Sequence, residues 1–288
     1  MTICIAWIRK VNNCEELVFA SDSRLRYGEY WDQCPKIMSF ERQDCALAFA
    51  GHTYYAYPLM MQVYYAINQY YKIKSRAMDI NDLNGYLLRS INSLSSSIVY
   101  DAKGNFSKDI VQNEFIFGGY LWTEKKFKLW MFKYDEEKNA FQKHSPFKNF
   151  LGKFGKIAFI GDKQKEFKNK LCKFLNEKYG AKCSNYIGRG FDMEPFEVLR
   201  NMLLEADSGS TIGGAPQIIK VYQYMNSRPL GVYWPQKDNY DVFKNRTLLG
   251  RKVPDFEDTE YWFMDPYTFY TNACHKNKTL NENNEEIE

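Results

Sequence analysis

The chain has 288 residues, of which 45% are hydrophobic and 17% aromatic, with 22 Tyr, 21 Phe and 6 Trp. That much apolar surface excludes a disordered or fibrous chain, and the length suits one large domain or two small ones. The formal charge of +4, from 39 Lys and Arg against 35 Asp and Glu, is too balanced for a dedicated nucleic-acid binder.

No run of about 18 apolar residues occurs, so no transmembrane helix and no membrane partner are expected. The apolar start, Met1 to Ile8, precedes Arg9 and Lys10, the reverse of a secretory signal. Seven cysteines (Cys4, Cys14, Cys34, Cys45, Cys172, Cys183 and Cys274) form no CxxC pair and are odd in number. They read as free thiols in a reducing cytoplasm. His52, His144 and His275 are widely separated, so neither a metal site nor a cofactor is expected.

In chain order, Ile3 to Ile8 and Leu17 to Ser21 read as a hairpin around Asn12-Asn13, and Lys36 to Phe40 pairs with Cys45 to Ala50. Apolar residues at three- and four-residue steps predict a helix from Tyr54 or Tyr57 to Lys72, with Pro58 tolerable only in its first turn. A second helix spans Ile80 to Val99. Strands return at Glu114 to Trp122, Phe127 to Tyr134 and Ile157 to Ile160. Helices follow at Lys165 to Leu175 and Glu194 to Glu205, then strands at Ile218 to Tyr224 and Gly231 to Trp234. Runs of strands separated by helix pairs predict an α+β fold, a four-layer αββα sandwich of two antiparallel sheets between helix pairs. The expected division is a main domain over 1–238, a strand-and-loop appendage over 239–275 and a disordered tail over 276–288.

Four places carry chemistry when taken together. Thr2 heads the first strand, and Phe19-Ala20-Ser21-Asp22-Ser23-Arg24 closes the second. Lys36-Ile37 opens the third, and Phe49-Ala50-Gly51-His52 precedes the first helix. Singly, each has an ordinary reading: Asp22-Ser23 as a turn, Lys36 as a solvated strand start, Gly51 as a strand end before a capped helix. In this order they resemble the proteasome β-subunit branch of the N-terminal-nucleophile hydrolases, including the bacterial two-component proteasome-like peptidase. The resemblance covers residues 2–235 in layout, with its motifs concentrated in 2–56.

The resemblance implies that Met1 is removed and that Thr2 is the nucleophile. A free α-amino group, with an ordinary pKa of about 7.7–8.0, is then a base on the same residue as the hydroxyl. Lys36 would favour the developing negative charge, Asp22 would hold Lys36, and the Gly51 amide would donate to the oxyanion. Ser23 and Arg24 belong to the same matched element. The chain departs from the family in a longer first hairpin and in Gly161-Asp162-Lys163, where the family has a Gly-Ser-Gly turn. Near Ile212-Gly213-Gly214, the nearest aspartate, Asp207, is displaced. Asp162 and Asp207 are therefore the candidates for the supporting positions.

The implied activity is hydrolysis of amide bonds, of peptides or small amides, in a homo-oligomeric ring with an ATPase or other regulatory partner. Two further readings stand beside it: a catalytically silent subunit with an assembly or sensing role, and a small-amide acylase. Self-association has its own signal, since Tyr55, Met61 and Tyr65 give the first helix more apolar surface than one buried face needs. Cys4 and Cys45 fall in strands, where packing suits them better than catalysis, and His52 reads as a loop histidine.

Overall fold

The computed structural model describes residues 2–12, 14–99, 107–152, 154–180, 190–235, 245–257 and 259–273. The tail expected over 276–288 lies outside them. The elements in order are β1 (Cys4–Val11), β2 (Cys14–Ser21), β3 (Leu25–Tyr27), β4 (Glu29–Trp31), β5 (Ile37–Ser39), β6 (Cys45–Ala50), α1 (Thr53–Gln69), α2 (Tyr71–Lys74), α3 (Ile80–Ser96) and α4 (Ser107–Ile110). Next come β7 (Glu114–Leu121), β8 (Lys126–Asp135), β9 (Ala140–His144), β10 (Ile157–Ile160), α5 (Gln164–Tyr179), α6 (Glu194–Leu204), β11 (Gln217–Tyr222) and β12 (Asn226–Tyr233). Four short strands close the described chain: β13 (Arg246–Leu248), β14 (Arg251–Lys252), β15 (Trp262–Met264) and β16 (Thr271–Ala273).

The expected four-layer αββα sandwich is corrected by this arrangement. The described chain is mostly antiparallel sheet, one of nine strands and one of five, with a two-stranded β3–β4 hairpin besides, and its helices are few. The larger sheet runs β10-β1-β2-β11-β12-β13-β14, with β15 beside β12 and β16 beside β15; the smaller runs β5-β6-β7-β8-β9. The sequence reading missed β3, β4 and β9, and it gave no individual strands within the expected strand-and-loop appendage, because most of these strands are three residues or shorter and partly exposed. Such segments carry no readable alternation.

Strand alternation sorts the core. Ile3, just before β1, and Ile5 and Trp7 on it join Val18, Ile157, Phe159 and Ile218 in one cluster, which residues of α5 and α6 complete. Cys4 and Ala6 point the other way and meet Phe19, Ala46, Ala48, Ala50 and Ile116 in a cluster shared by the two sheets. On β6, Cys45, Leu47 and Phe49 pack instead with α1 and α3. Because successive side chains face opposite sides of a strand, β6 is buried along its whole length. Its alanines face the other sheet and allow close approach.

Helix α3 starts where Asp79 accepts from the amides of Asn81 and Asp82, a side-chain cap. Helix α1 begins at Thr53, earlier than the sequence pattern suggested, so Pro58 lies beyond the first turn. Burial of Tyr55, Ala56, Leu59 and Met60 on both sides of Pro58 outweighs the lost hydrogen bond. Tyr55, expected to add to the outward apolar surface, is in the core instead.

The strands after Tyr233 extend the larger sheet. Gly231 of β12 pairs with Leu248 of β13 and, in parallel, with Phe263 of β15. A Cβ on Gly231 would stand 2.3 Å from the Phe263 ring, so only glycine lets the two strands pack this closely. Phe263 is fully buried with Tyr233 and Val253. Phe263→Ala should cost about 3–5 kcal/mol of stability, and the exposed neighbour change Trp262→Ala far less. Thermal melts of both variants check this, and equal melting temperatures would refute the packing account.

Candidate functional site

The site forms where β1 begins, β2 ends, β5 begins and β10 ends. Asp22, just past β2, is fully buried, and its two oxygens take five donors. Oδ1 accepts from the Thr2 hydroxyl, from the Ile3 amide at 3.2 Å and from Lys36 Nζ at 2.8 Å. Oδ2 accepts from the amides of Arg24 at 3.1 Å and Gly213 at 3.2 Å. Lys36 Nζ also donates to Thr2 Oγ1. A hydroxyl, an ammonium and a carboxylate therefore meet as a closed triangle, with Thr2 only 2% exposed and Lys36 1%.

Each member is placed by main chain. Lys36 precedes β5; its amide donates to Gln217 Oε1 at 2.9 Å, and its carbonyl accepts from Phe49 at 3.1 Å. Gln217 Nε2 donates in turn to the carbonyls of Cys34 at 2.6 Å and Asp22 at 3.2 Å, tying the two sides of the triangle together. The Lys36–Asp22 pair has both side chains fully buried. Removing either partner leaves an uncompensated buried charge, typically worth about 3–5 kcal/mol.

Asp162 lies on the opposite side of Thr2. Its Oδ1 accepts from the Thr2 nitrogen at 2.6 Å and its Oδ2 from the Thr211 hydroxyl at 2.6 Å. The preceding Gly161 has φ +106°, and a Cβ there would fall 2.0 Å from the Thr2 carbonyl oxygen. Only glycine fits.

The other expected residues are distributed around this centre. Gly51 has φ +123°, and a Cβ on it would meet the Gln112 carbonyl at 2.4 Å, so packing against Gln112–Asn113 by itself requires a glycine. Ser23 is buried, but its hydroxyl donates to the Asp32 carbonyl at 2.8 Å rather than into the triangle. Arg24 forms a fork onto Asp32 at 2.7 and 2.9 Å, and these bonds hold its guanidinium above the ordinary range. Arg24 also donates to the Asp207 carbonyl at 2.6 Å; it is this backbone oxygen of Asp207 that reaches the cluster. His52 is half-exposed, its Nε2 3.9 Å from Asp109.

The sequence reading did not assign Gly213, Gln217 or Thr211 to the site. Gly213 lay inside a noted Ile-Gly-Gly step, which is the one available signal. The others come from partners too distant along the chain for any spacing pattern. Cys4, next to the site, has its thiol pushed up to about 12, chiefly by burial, and hydrogen-bonded to the Phe49 carbonyl at 2.9 Å. It stays protonated and packs. Among the described residues, no group of three or more His, Cys, Asp or Glu side chains could hold a metal ion.

A groove of roughly 450 Å³ flanks the Asp162–Thr211 side, lined by Lys163, Glu166, Lys170, Asp207, Ser210 and Ile212 among others. The larger cavity of about 670 Å³ lies between β12 and residues 257 and 259–262, and none of the candidate residues lines it.

No family profile matches the chain, and no curated protein matches it. Membership of the proteasome β-subunit family, which the four short motifs suggested, is therefore corrected: those motifs do not extend into family-level sequence similarity. Chains of solved structures do resemble this one, 542 of them. Among them is the Anbu (Gly-1) mutant from Hyphomicrobium sp. strain MC1, at TM-score 0.52 and 13% identity, over 80% of this chain and 87% of that one. At that identity the likeness is one of fold.

Proposed function

We propose that this chain hydrolyses amide bonds, those of peptides first, with Thr2 as nucleophile once Met1 has been removed. The observation that supports this best is the buried contact of Thr2 Oγ1 with Lys36 Nζ and Asp22, while Asp162 holds the Thr2 nitrogen. In the reaction, Thr2 Oγ1 attacks the substrate carbonyl carbon and its proton passes to the freed α-amine. Lys36 favours the negative charge on the attacking oxygen, and the Gly51 N–H donates to the carbonyl oxygen as it becomes an oxyanion. The C–N bond then breaks, with the proton delivered to the leaving amine, and the acyl group stays on Thr2 as an ester. Water, deprotonated by the same amine, attacks the ester and releases the acid.

The fold likeness to Anbu supports the hydrolase reading at the level of architecture. Exposed Tyr54, Met61, Tyr65 and Tyr71 on α1 and α2 supply apolar surface for a second copy. No helix among the described residues is long and apolar enough to cross a membrane. Free Cys4, Cys34 and Cys45, all buried, suit a reducing cytoplasm.

A catalytically silent chain is the second reading, favoured by the burial of Thr2 at 2% exposed. With Met1 retained, the Thr2 nitrogen is an amide and cannot take a proton.

Thr2→Ala should abolish release of coumarin from peptidyl-coumarin amides, and Thr2→Ser should keep measurable turnover. Full activity in the alanine variant would end the threonine mechanism. Lys36→Met should lower the rate about 10²–10³-fold and also the melting temperature, because Asp22 is left charged and unpaired. Light scattering should give a mass at least twice 34.1 kDa at micromolar protein; a monomer that is unchanged on dilution would remove the assembly from the account.

A further inference from the structure

We propose that Glu114 is a positioning residue that sets where Asp162 meets Thr2; the proposal rests on the reading of Thr2 as nucleophile. Glu114 opens β7 in the smaller sheet, opposite Ala50 on one side and Lys133 on the other. Its carboxylate reaches to the other sheet. Oε2 accepts from the Gly161 amide at 2.8 Å, and Oε1 pairs with Lys133 Nζ at 2.5 Å. The side chain is only 14% exposed, so the bond to Gly161 is charge-assisted and poorly screened.

Gly161 transmits that position without slack. Its backbone lies so close to the Thr2 carbonyl that no side chain fits, and Asp162 follows it directly. Asp162 Oδ1 then accepts from the Thr2 nitrogen at 2.6 Å. A displaced Gly161 therefore moves the partner of the proposed base, and an error near 1 Å in such placement costs about 100-fold in rate. Ala50, which pairs with Glu114, precedes Gly51, and its Cβ would lie 3.3 Å from a Cβ on Gly161. Glu114 thus stands beside the proposed oxyanion glycine through its strand pairing with Ala50, and beside the base and the nucleophile through its carboxylate on Gly161. Glu114 touches no reacting atom. It acts through Gly161.

The test is acylation of Thr2 by a β-lactone probe, with the saturation constant KI separated from the maximal rate kinact. Glu114→Ala should lower kinact by about 10- to 100-fold with KI little changed, since the residue acts on the base and not on the ligand. Glu114→Gln, whose carboxamide oxygen can still accept from the Gly161 amide, should recover most of the rate. A merely structural role would not give that rescue. If the alanine variant does not fold, Glu114→Asp, which keeps the charge but shortens the reach, should still lose kinact. Wild-type kinact in the alanine or aspartate variant, or no recovery with glutamine, overturns the proposal while labelling of wild-type Thr2 leaves the nucleophile reading standing. Absence of labelling on wild-type Thr2 overturns both.

Discussion

A carboxylate with no exposure to water is the constraint on which the rest of this site depends. Asp22 is stable there only because Lys36 neutralises it and backbone amides of Ile3, Arg24 and Gly213 fill its remaining positions. Without those partners, a carboxylate buried there would destabilise its surroundings. Its needs draw the head of β1, the end of β2, the approach to β5 and the loop before β11 to one point. The Thr2 hydroxyl is caught in that convergence. In such a low-dielectric setting the Lys36 charge acts on the hydroxyl oxygen far more strongly than it would in water.

The sheets make the convergence possible by close approach. Alanines at 46, 48 and 50 line the face that β6 turns to the larger sheet, and glycines stand where backbone meets backbone or side chain. Gly161 lies against the Thr2 carbonyl, and a Cβ on Gly213 would strike the Arg24 guanidinium at 2.4 Å. Gln217, in the first position of β11, holds Lys36, Cys34 and Asp22 at once. Groups fixed in this way by neighbours that are themselves buried need little reorganisation, a requirement for a site that works through placed charge.

Much of the near side of the site was legible in the sequence. Thr2, Asp22 and Lys36 fall at strand ends, and hydrophobic runs locate those ends well; β6 occupies Cys45–Ala50 as read. The first hairpin also stood out, though its strands run on to Val11 and back from Cys14. The far side was not legible. Gly161-Asp162 drew notice only as a departure from a motif, and Thr211, Gln217 and Glu114 reach the site through tertiary register that no local pattern encodes. Asp162 is 160 residues from Thr2. The architecture was misjudged because short strands such as Trp262–Met264 have too few residues to alternate, which hid the extent of the larger sheet. Motifs of a few residues likewise named the residues of the candidate site without supporting membership of a family.

The central claim is that residue 2 carries a free amine and a reactive hydroxyl. Peptide mapping by mass spectrometry after treatment of the native protein with a β-lactone tests both in one spectrum. The account predicts an N-terminal peptide that begins at Thr2 and carries one acyl group on it, with Cys4 unmodified because burial keeps its thiol protonated. An N-terminal peptide that begins at Met1 and carries no acyl group would contradict it.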